Sequence, residues 1–297
     1  MTARPESDQT PAHRASLDFF NRLIPCLITA GHYALRLQSQ LSQQTQTKEG
    51  DEWQSALTDA DIGVQQYIEA IVLAEFPGWD FFGEEHAATC NTLYFPKGAD
   101  ACIMLDPING TRLYRDGSPY FDILVSLRWQ GRLIATLSYH PALARLYGSS
   151  LYAPSFVLYG DQLENIQPLR AIPNADAPLG VYQCPQAMID ALQSVHPLFD
   201  FSRDYAPEDP RCALNSMFSG QLAGYLMLDC AVLDVGATAF AVTRLGGTAT
   251  KPDGSELAAL AKFEPEQRED LLVTWSPKLH ESLVQNITAS GYTVAPS

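Results

Sequence analysis

From Ala15 to about Gln44, apolar residues return at helical spacing: Leu17, Phe20, Leu23, Ile24, Leu27, Ile28, Ala34, Leu35 and Leu37. Such a stripe predicts a long amphipathic helix. Pro25 should kink or interrupt it, because proline has no amide hydrogen and crowds the preceding turn. The stripe fades across Ser42–Ser55, where Gln, Thr and charged residues predict a mobile loop. A second helical stripe follows, with Thr58 or Asp59 as its cap and Pro77-Gly78 as its stop. The pattern then shortens into apolar runs that predict strands over Trp79–Phe82, Ala101–Leu105, Phe121–Trp129, Leu133–Tyr139 and Arg145–Gly148. Gln130-Gly131 predicts the hairpin turn between two of them.

The second half mixes the two periods. Leu179–Gln183 and Leu271–Trp275 read as strands, and Ala187–Val195, Cys212–Leu222 and Pro277–Ala289 as helices. Ala231–Leu245 reads as a helix closed by Gly246-Gly247, a glycine C-cap. There is no internal repeat and no low-complexity tract. The pattern predicts a layered αβαβα arrangement of α+β type. It divides into a disordered tail (1–14), an N-terminal α+β half (15–150) and a C-terminal α/β half (151–297), packed as one unit.

Composition narrows the partners. A chain of 297 residues with 46% hydrophobic content can bury a large core. Its 34 acidic against 19 basic residues give a net charge of −15, which argues against nucleic acid or an anionic membrane as partner. Carboxylates gathered around cations would still let such a protein accept an anionic substrate. The six cysteines (Cys26, Cys90, Cys102, Cys184, Cys212, Cys230) form no Cys-x-x-Cys pair, so neither a zinc cluster nor a disulfide framework is expected. The first fourteen residues lack the apolar core of a signal peptide, and no apolar run reaches membrane-spanning length. A cytoplasmic protein is expected.

Four segments carry candidate chemistry. Ala101–Leu105 runs into Asp106-Pro107-Ile108-Asn109-Gly110-Thr111, placing oxygen ligands at the carboxyl end of a strand, where open α/β folds bind their ligands. Phe81-Phe82-Gly83-Glu84-Glu85 carries two carboxylates 22 residues before Asp106; alone it also fits a solvated loop. Leu57-Thr58-Asp59-Ala60-Asp61 opens the second helix, where capping alone explains Thr58 or Asp59. Leu233-Asp234-Val235-Gly236-Ala237-Thr238 opens a later helix, where Asp234 could serve only as a cap.

Together these segments resemble the inositol monophosphatase family of Mg²⁺-dependent, lithium-sensitive small-molecule phosphatases. Asp106–Thr111 is similar to the Asp-Pro-Ile-Asp-Gly-Thr signature, continues into Gly117-Ser118-Pro119-Tyr120-Phe121, and departs from it only at Asn109. The resemblance implies the fold of that family and hydrolysis of a small phosphate monoester by two-metal activation of water. It implies two or three Mg²⁺ sites held by Glu84, Asp106, the Ile108 carbonyl, Asn109 and Asp234, with Glu85 supporting. Asp61 and Thr111 would activate the water, and Gly110 with Thr111 would cradle the phosphate. Asp234 would also face the substrate. Relatives are commonly dimers, which leaves room for a homodimer.

The second half matches less well. The family's Gly-Ser-x-Ala stretch is replaced by Arg211-Cys212-Ala213-Leu214, and its Trp before the helix aspartate by Leu233. Met227 stands where inositol-specific relatives have a hydroxyl-binding glutamate. A thioether is a weak acceptor, so inositol itself is not the expected substrate. Asn109 removes one charge from the second metal site, which should be weak and the chemistry slow. Asn-Gly is prone to deamidation, and an Asp→Asn replacement would leave the same residue. The alternatives are a phosphatase-like binding or regulatory protein with impaired turnover, or a 3′-phosphoadenosine 5′-phosphate or fructose 1,6-bisphosphate phosphatase.

Overall fold

The computed structural model describes residues 10–44, 51–85, 89, 91–257, 264 and 267–293. Two long helices come first, α1 (Pro11–Gln44) and α2 (Asp51–Glu75). α1 begins four residues before Ala15 and continues through Pro25, which therefore does not break it. The loop expected over 42–55 is corrected on both sides. α1 persists to Gln44 and α2 starts at Asp51, while 45–50 lie outside the described residues. Thr58 and Asp59 are thus inside α2 and do not cap it. The stretch before them lacks an apolar stripe, but Glu52, Gln54, Ala56 and Leu57 are good helix formers with no proline or glycine among them.

A seven-stranded sheet follows in chain order: β1 (Asp80–Gly83), β2 (Ala101–Asn109), β3 (Asp122–Trp129), β4 (Arg132–His140), β5 (Arg145–Ser150), β6 (Phe156–Tyr159) and β7 (Ile166–Pro168). β1 and β2 are parallel and the other pairs antiparallel. Gln130 and Gly131 both have positive φ, the two-residue turn that matches the twist of a hairpin. Between β2 and β3 lies the five-residue helix α3 (Thr111–Arg115).

A second sheet has the order β11-β12-β10-β8-β9, from β8 (Leu179–Tyr182), β9 (Leu198–Asp200), β10 (Gly224–Ala231), β11 (Thr248–Thr250) and β12 (Arg268–Thr274). The remaining helices are α4 (Gln186–Gln193), α5 (Val232–Arg244) and α6 (Pro277–Ala289). Cys212–Leu222 is not the expected α-helix. It holds two short 3₁₀ turns, Pro210–Cys212 and Leu214–Ser219, separated by Ala213 in an extended conformation. Pro210, Asn215, Ser216, Ser219 and Gly220 account for the break, since each favours turns over helix.

Alternation along the strands sorts the core into layers. On β2, Ile103 and Leu105 pack with α1 and α2, while Cys102 and Met104 face the other way, into the α5 layer. On β10, Tyr225 and Met227 join that α5 layer, and Leu226 and Leu228 face α4 and α6. α5 is therefore sandwiched between the two sheets, giving the layers α1/α2, first sheet, α5, second sheet, α4/α6. This is the expected αβαβα order. Among the described residues no helix is long and apolar enough to cross a membrane, and five cysteines are free.

Candidate active site

The site begins where β2 loses its partner. β2 pairs regularly with β3 through Asp106, slips, and resumes at Asn109 opposite Asp122. Pro107 cannot donate to the ladder, which explains the slip at that point. Asp106 is 2% exposed and its Oδ1 accepts from the Ile108 N–H at 3.1 Å. β1 runs parallel alongside, and the Glu84 N–H donates to the Leu105 carbonyl at 3.0 Å, so Glu84 leaves its strand at the edge that presents Asp106.

α2 fixes that turn. The buried Gln65 accepts from the Glu85 N–H at 3.0 Å and donates to Glu69 at 2.9 Å. A side chain at Gly83 would overlap the Gln65 amide, so glycine is required there. Glu85 is thus tied through its backbone. Asp61 lies one turn before Gln65 on the same helix face. Asp234 occupies the first turn of α5, where the cap is Ala231 and no side chain caps the helix, so Asp234 is not spent on capping.

These four carboxylates come from four elements and face one another electrostatically. Burial, then the charges of Glu84 and Glu85, pushes Asp61 up to about 8. Burial and Glu84 push Asp234 up to about 7, opposed only by Arg268. Glu84 and Asp106 share a side-chain hydrogen bond; burial leads in raising both, and Glu84 and Asp234 further raise Asp106.

Asn109 is not in a free turn. It ends β2, and its Nδ2 donates to Asp122 Oδ1 at 2.8 Å. A carboxylate only accepts, so the amide nitrogen must face Asp122 and the Asn109 oxygen is turned elsewhere. Asn109, Gly110 and Asp234 line a cavity of about 350 Å³ together with Met227. Gly110 sits at φ +80°, a left-handed turn that starts α3. The Thr111 hydroxyl bonds the Ile108 carbonyl at 3.4 Å, not Asp61.

Behind Asn109 is a buried polar network. Ser138 Oγ donates to Asp122, Asn215 Nδ2 bonds Ser138 Oγ at 2.6 Å and His140 Nε2 at 2.9 Å, and Thr238 donates to Asn215 Oδ1 at 3.1 Å. All five side chains are 6% exposed or less. Burial raises Asp122 and lowers His140, so both lean toward their neutral forms. No motif marks Asp122, Ser138, His140, Asn215 or Thr238 in the sequence as site residues. One signal was available: Asp122 interrupts the apolar run Phe121–Leu127 at the edge shared with Asp106.

The far wall is aromatic and sulfur-rich, with Tyr182, Phe201, Tyr205 and Cys212 alongside Met227. Arg112 stacks on Tyr205 with Cζ 3.6 Å from the ring centre, and the Tyr205 hydroxyl donates to Asp116 at 2.8 Å. That clasp ties the segment after β9 to α3. Cys212, Ala213 and Leu214 line the cavity, so the segment replacing the family's Gly-Ser-x-Ala stretch does reach it.

Among the described residues, no three His, Cys, Asp or Glu side chains form a closed metal-ligand cluster. The donor set still fits a hard cation. It consists of oxygens, and burial together with the Glu84 charge raises Asp61, Asp106 and Asp234, with Arg268 opposing at Asp234.

The profile described as the inositol monophosphatase family matches residues 26–291. A histidinol-phosphatase of Chlorobaculum parvum is 28% identical over 128 residues, 43% of this chain and 46% of that protein. An inositol-1-monophosphatase of Mesorhizobium japonicum is 33% identical over 93 residues, 31% of this chain and 32% of that protein. The matched stretches thus span less than half the length of these relatives. The Anabaena (Nostoc) inositol monophosphatase structure superposes with a TM-score of 0.66 at 17% identity, covering 94% of this chain and 97% of that one. The Thermotoga maritima enzyme gives 0.65 at 18%, covering 92% and 98%. With the profile spanning nearly the whole chain, this protein belongs to the inositol monophosphatase family.

Proposed function

We propose that this protein is a Mg²⁺-dependent phosphomonoesterase acting on a small phosphorylated metabolite in the cytoplasm. One observation carries the reading: Asp61, Glu84, Asp106 and Asp234 come from four elements into one buried acidic group, in which the Glu84 charge adds to burial in raising Asp61, Asp106 and Asp234, and Asp234 lines the cavity. Glu84, Asp106, the Ile108 carbonyl, the Asn109 oxygen and Asp234 would hold the metal. When bound, Mg²⁺ neutralises phosphoryl charge and activates water. Asp61 is the proton acceptor. Burial and the charges of Glu84 and Glu85 raise its proton affinity, which suits a group that takes a proton from water. Thr111, at the start of α3 with its hydroxyl on the Ile108 carbonyl, would assist Asp61 in activating the water, and Gly110 opens the turn that the phosphate would enter. Asp106 keeps the Ile108 amide aligned and thereby the carbonyl beyond it.

Met227 and the aromatic wall favour a flat or partly apolar alcohol over a polyol. The name of the Chlorobaculum relative makes histidinol phosphate one reasonable ester of that kind. A panel of inositol, sugar, nucleotide 3′- and histidinol phosphates assayed with Mg²⁺ tests the reading. Hydrolysis of at least one ester, absent in Asp106→Ala, is expected. No ester cleaved above the Asp106→Ala background would overturn it.

A second reading has its own observation. Asn109 is neutral and committed to Asp122, so the second metal position is weakened and the chain could bind a phosphorylated ligand without turning it over. Calorimetry with Mn²⁺ separates the two: two metal equivalents support the enzyme, and one or none with tight phosphate-ester binding supports the binder. A homodimer is the expected assembly on family grounds.

A further inference from the structure

A second cavity, of about 230 Å³, adjoins the first. Tyr120, His140, Ala213 and Asn215 line both and form the partition between them. Its outer wall includes Arg145, Tyr147, Ser216 and Gln221, and no carboxylate lines it, in a chain of net charge −15.

Two polar atoms buried in this wall have no hydrogen-bond partner: the Ser216 hydroxyl and Arg145 Nε. Ser216 is 6% exposed. Its carbonyl is used, accepting from Ser219 Oγ at 3.0 Å and from the Gln221 N–H at 3.1 Å, so only the hydroxyl is left over. Among the described residues, Arg145 forms no ion pair with any carboxylate. Its guanidinium lies 5.4 Å from the Tyr159 ring centre and is hydrogen-bonded to the Tyr147 side chain, neutral contacts that hold the group and leave its Nε without a partner. Buried donors in native proteins are almost always met by something. An apolar guest would leave both unmet, and a cation would be repelled by Arg145. An oxyanion satisfies both, because a guanidinium fork and a hydroxyl are complementary to carboxylate or phosphate oxygens.

We infer that this second cavity is an anion subsite in which the Arg145 guanidinium and the Ser216 hydroxyl hold a phosphate or carboxylate group. The shared partition gives that group two sources. It is the second acidic group of an ester bound in the first cavity, or a separate small anion. Only the first source rests on the hydrolytic reading.

The test uses the full-length chain in EDTA, so that the metal-free acid cluster repels phosphate, and titrates inorganic phosphate by calorimetry at constant ionic strength. Saturable single-site binding is expected. Arg145→Gln should weaken it by about tenfold or more, Ser216→Ala by roughly three- to fivefold, and Arg145→Lys by an intermediate factor, since it keeps the charge and loses the fork. Near-UV circular dichroism checks each fold, and Ser216→Ala with Arg145→Lys carries the comparison if Arg145→Gln does not fold. No saturable binding by the unaltered chain, or equal affinity in the folded variants, would overturn the proposal; an ordered water filling the cavity gives that result. A second arm compares hydrolysis of esters with one and with two anionic groups under Mg²⁺. A drop in kcat/KM confined to doubly anionic esters in Arg145→Gln places the substrate's own second group in the subsite. An unchanged ratio assigns it to a separate anion. The metal-free arm reports even if no ester is cleaved, so the two readings fail separately.

Discussion

The acidic group that reaches the main cavity through Asp234 and the polar network beside that cavity solve opposite problems. At one end burial raises Asp61, Glu84, Asp106 and Asp234, and the Glu84 charge raises three of them further, with Arg268 opposing only at Asp234. At the other, Asp122, Ser138, His140, Asn215 and Thr238 close into a network in which each group has a partner, flanked by aromatic rings and a thioether. On the proposed function the first end gains from a cation. The second is self-sufficient and shapes what can sit beside it. Asn109 is the hinge between them: it lines the cavity with Asp234 but is hydrogen-bonded into the network. An aspartate at 109 would meet the Asp122 carboxylate at hydrogen-bond distance, a like-charge contact the asparagine avoids.

The largest expected effect breaks the acidic end. Asp106→Ala should lower kcat/KM by about a thousandfold or more, roughly 4 kcal/mol of transition-state stabilisation, because it removes the carboxylate that faces both Glu84 and Asp234. The paired expectation distinguishes a functional carboxylate from a structural one. In EDTA, Asp106→Asn should raise the melting temperature by a few degrees, since about 1–2 kcal/mol of repulsion and desolvation is relieved. A lower melting temperature would mean that Asp106 holds the fold together instead.

Next comes the hinge. Asn109→Asp should tighten Mg²⁺ and raise the rate by about one to two powers of ten, roughly 1.4–2.7 kcal/mol. It should also destabilise the metal-free protein, because the new carboxylate faces Asp122. Calorimetry and melting in EDTA check both. Adding Asp122→Asn should remove the penalty while keeping the gain. A flat response in affinity, rate and stability would take Asn109 out of the site.

The network should respond more modestly and differently. Asn215→Ala leaves Ser138, His140 and Thr238 each short of a partner, and should cost about 1–3 kcal/mol of stability. Its kinetic effect should fall on KM more than on kcat, since on the proposed function Asn215 lines the part of the cavity that would hold the substrate's alcohol portion. Equal loss in both would move Asn215 into the reacting centre.

The smallest effect is a pH dependence with a definite sign. Asp61 and Asp234 have folded values near 8 and 7, above their ordinary 3.8. The folded state therefore binds more protons than the unfolded state through that window, and metal-free stability should fall as pH rises from about 4 to 8. Added Mg²⁺ should restore more stability at pH 8 than at pH 5, because it binds the ionised forms. Melting curves across pH, with and without EDTA, read this directly, and Asp61→Asn should flatten the metal-free slope.

The acidic end was legible in the sequence because its residues sit in contiguous motifs at element ends: Glu84 after a strand, Asp106 at the bulge, Asp234 in a first helical turn. The other end was not, because it is assembled from residues far apart in sequence, such as Ser138 and Asn215, that meet only when β4 and the Leu214–Ser219 turn pack together. β10 was also missed. It is buried on both faces, so Tyr225–Cys230 shows no alternation, and a bulge at Asp229 (φ 48°) interrupts the run. At 42–44 and 51–55 the expected loop gave way to helix for a different reason, since helix propensity outlasted the apolar stripe.

The most direct measurement is a crystal structure grown with Mn²⁺ and inorganic phosphate, with metal placed by anomalous scattering. The proposed function requires an Mn²⁺ peak within ligating distance of both Glu84 and Asp106, with phosphate between it and the Gly110-Thr111 turn. Full Mn²⁺ loading in solution, with no anomalous peak at those carboxylates and the phosphate bound elsewhere, would contradict it.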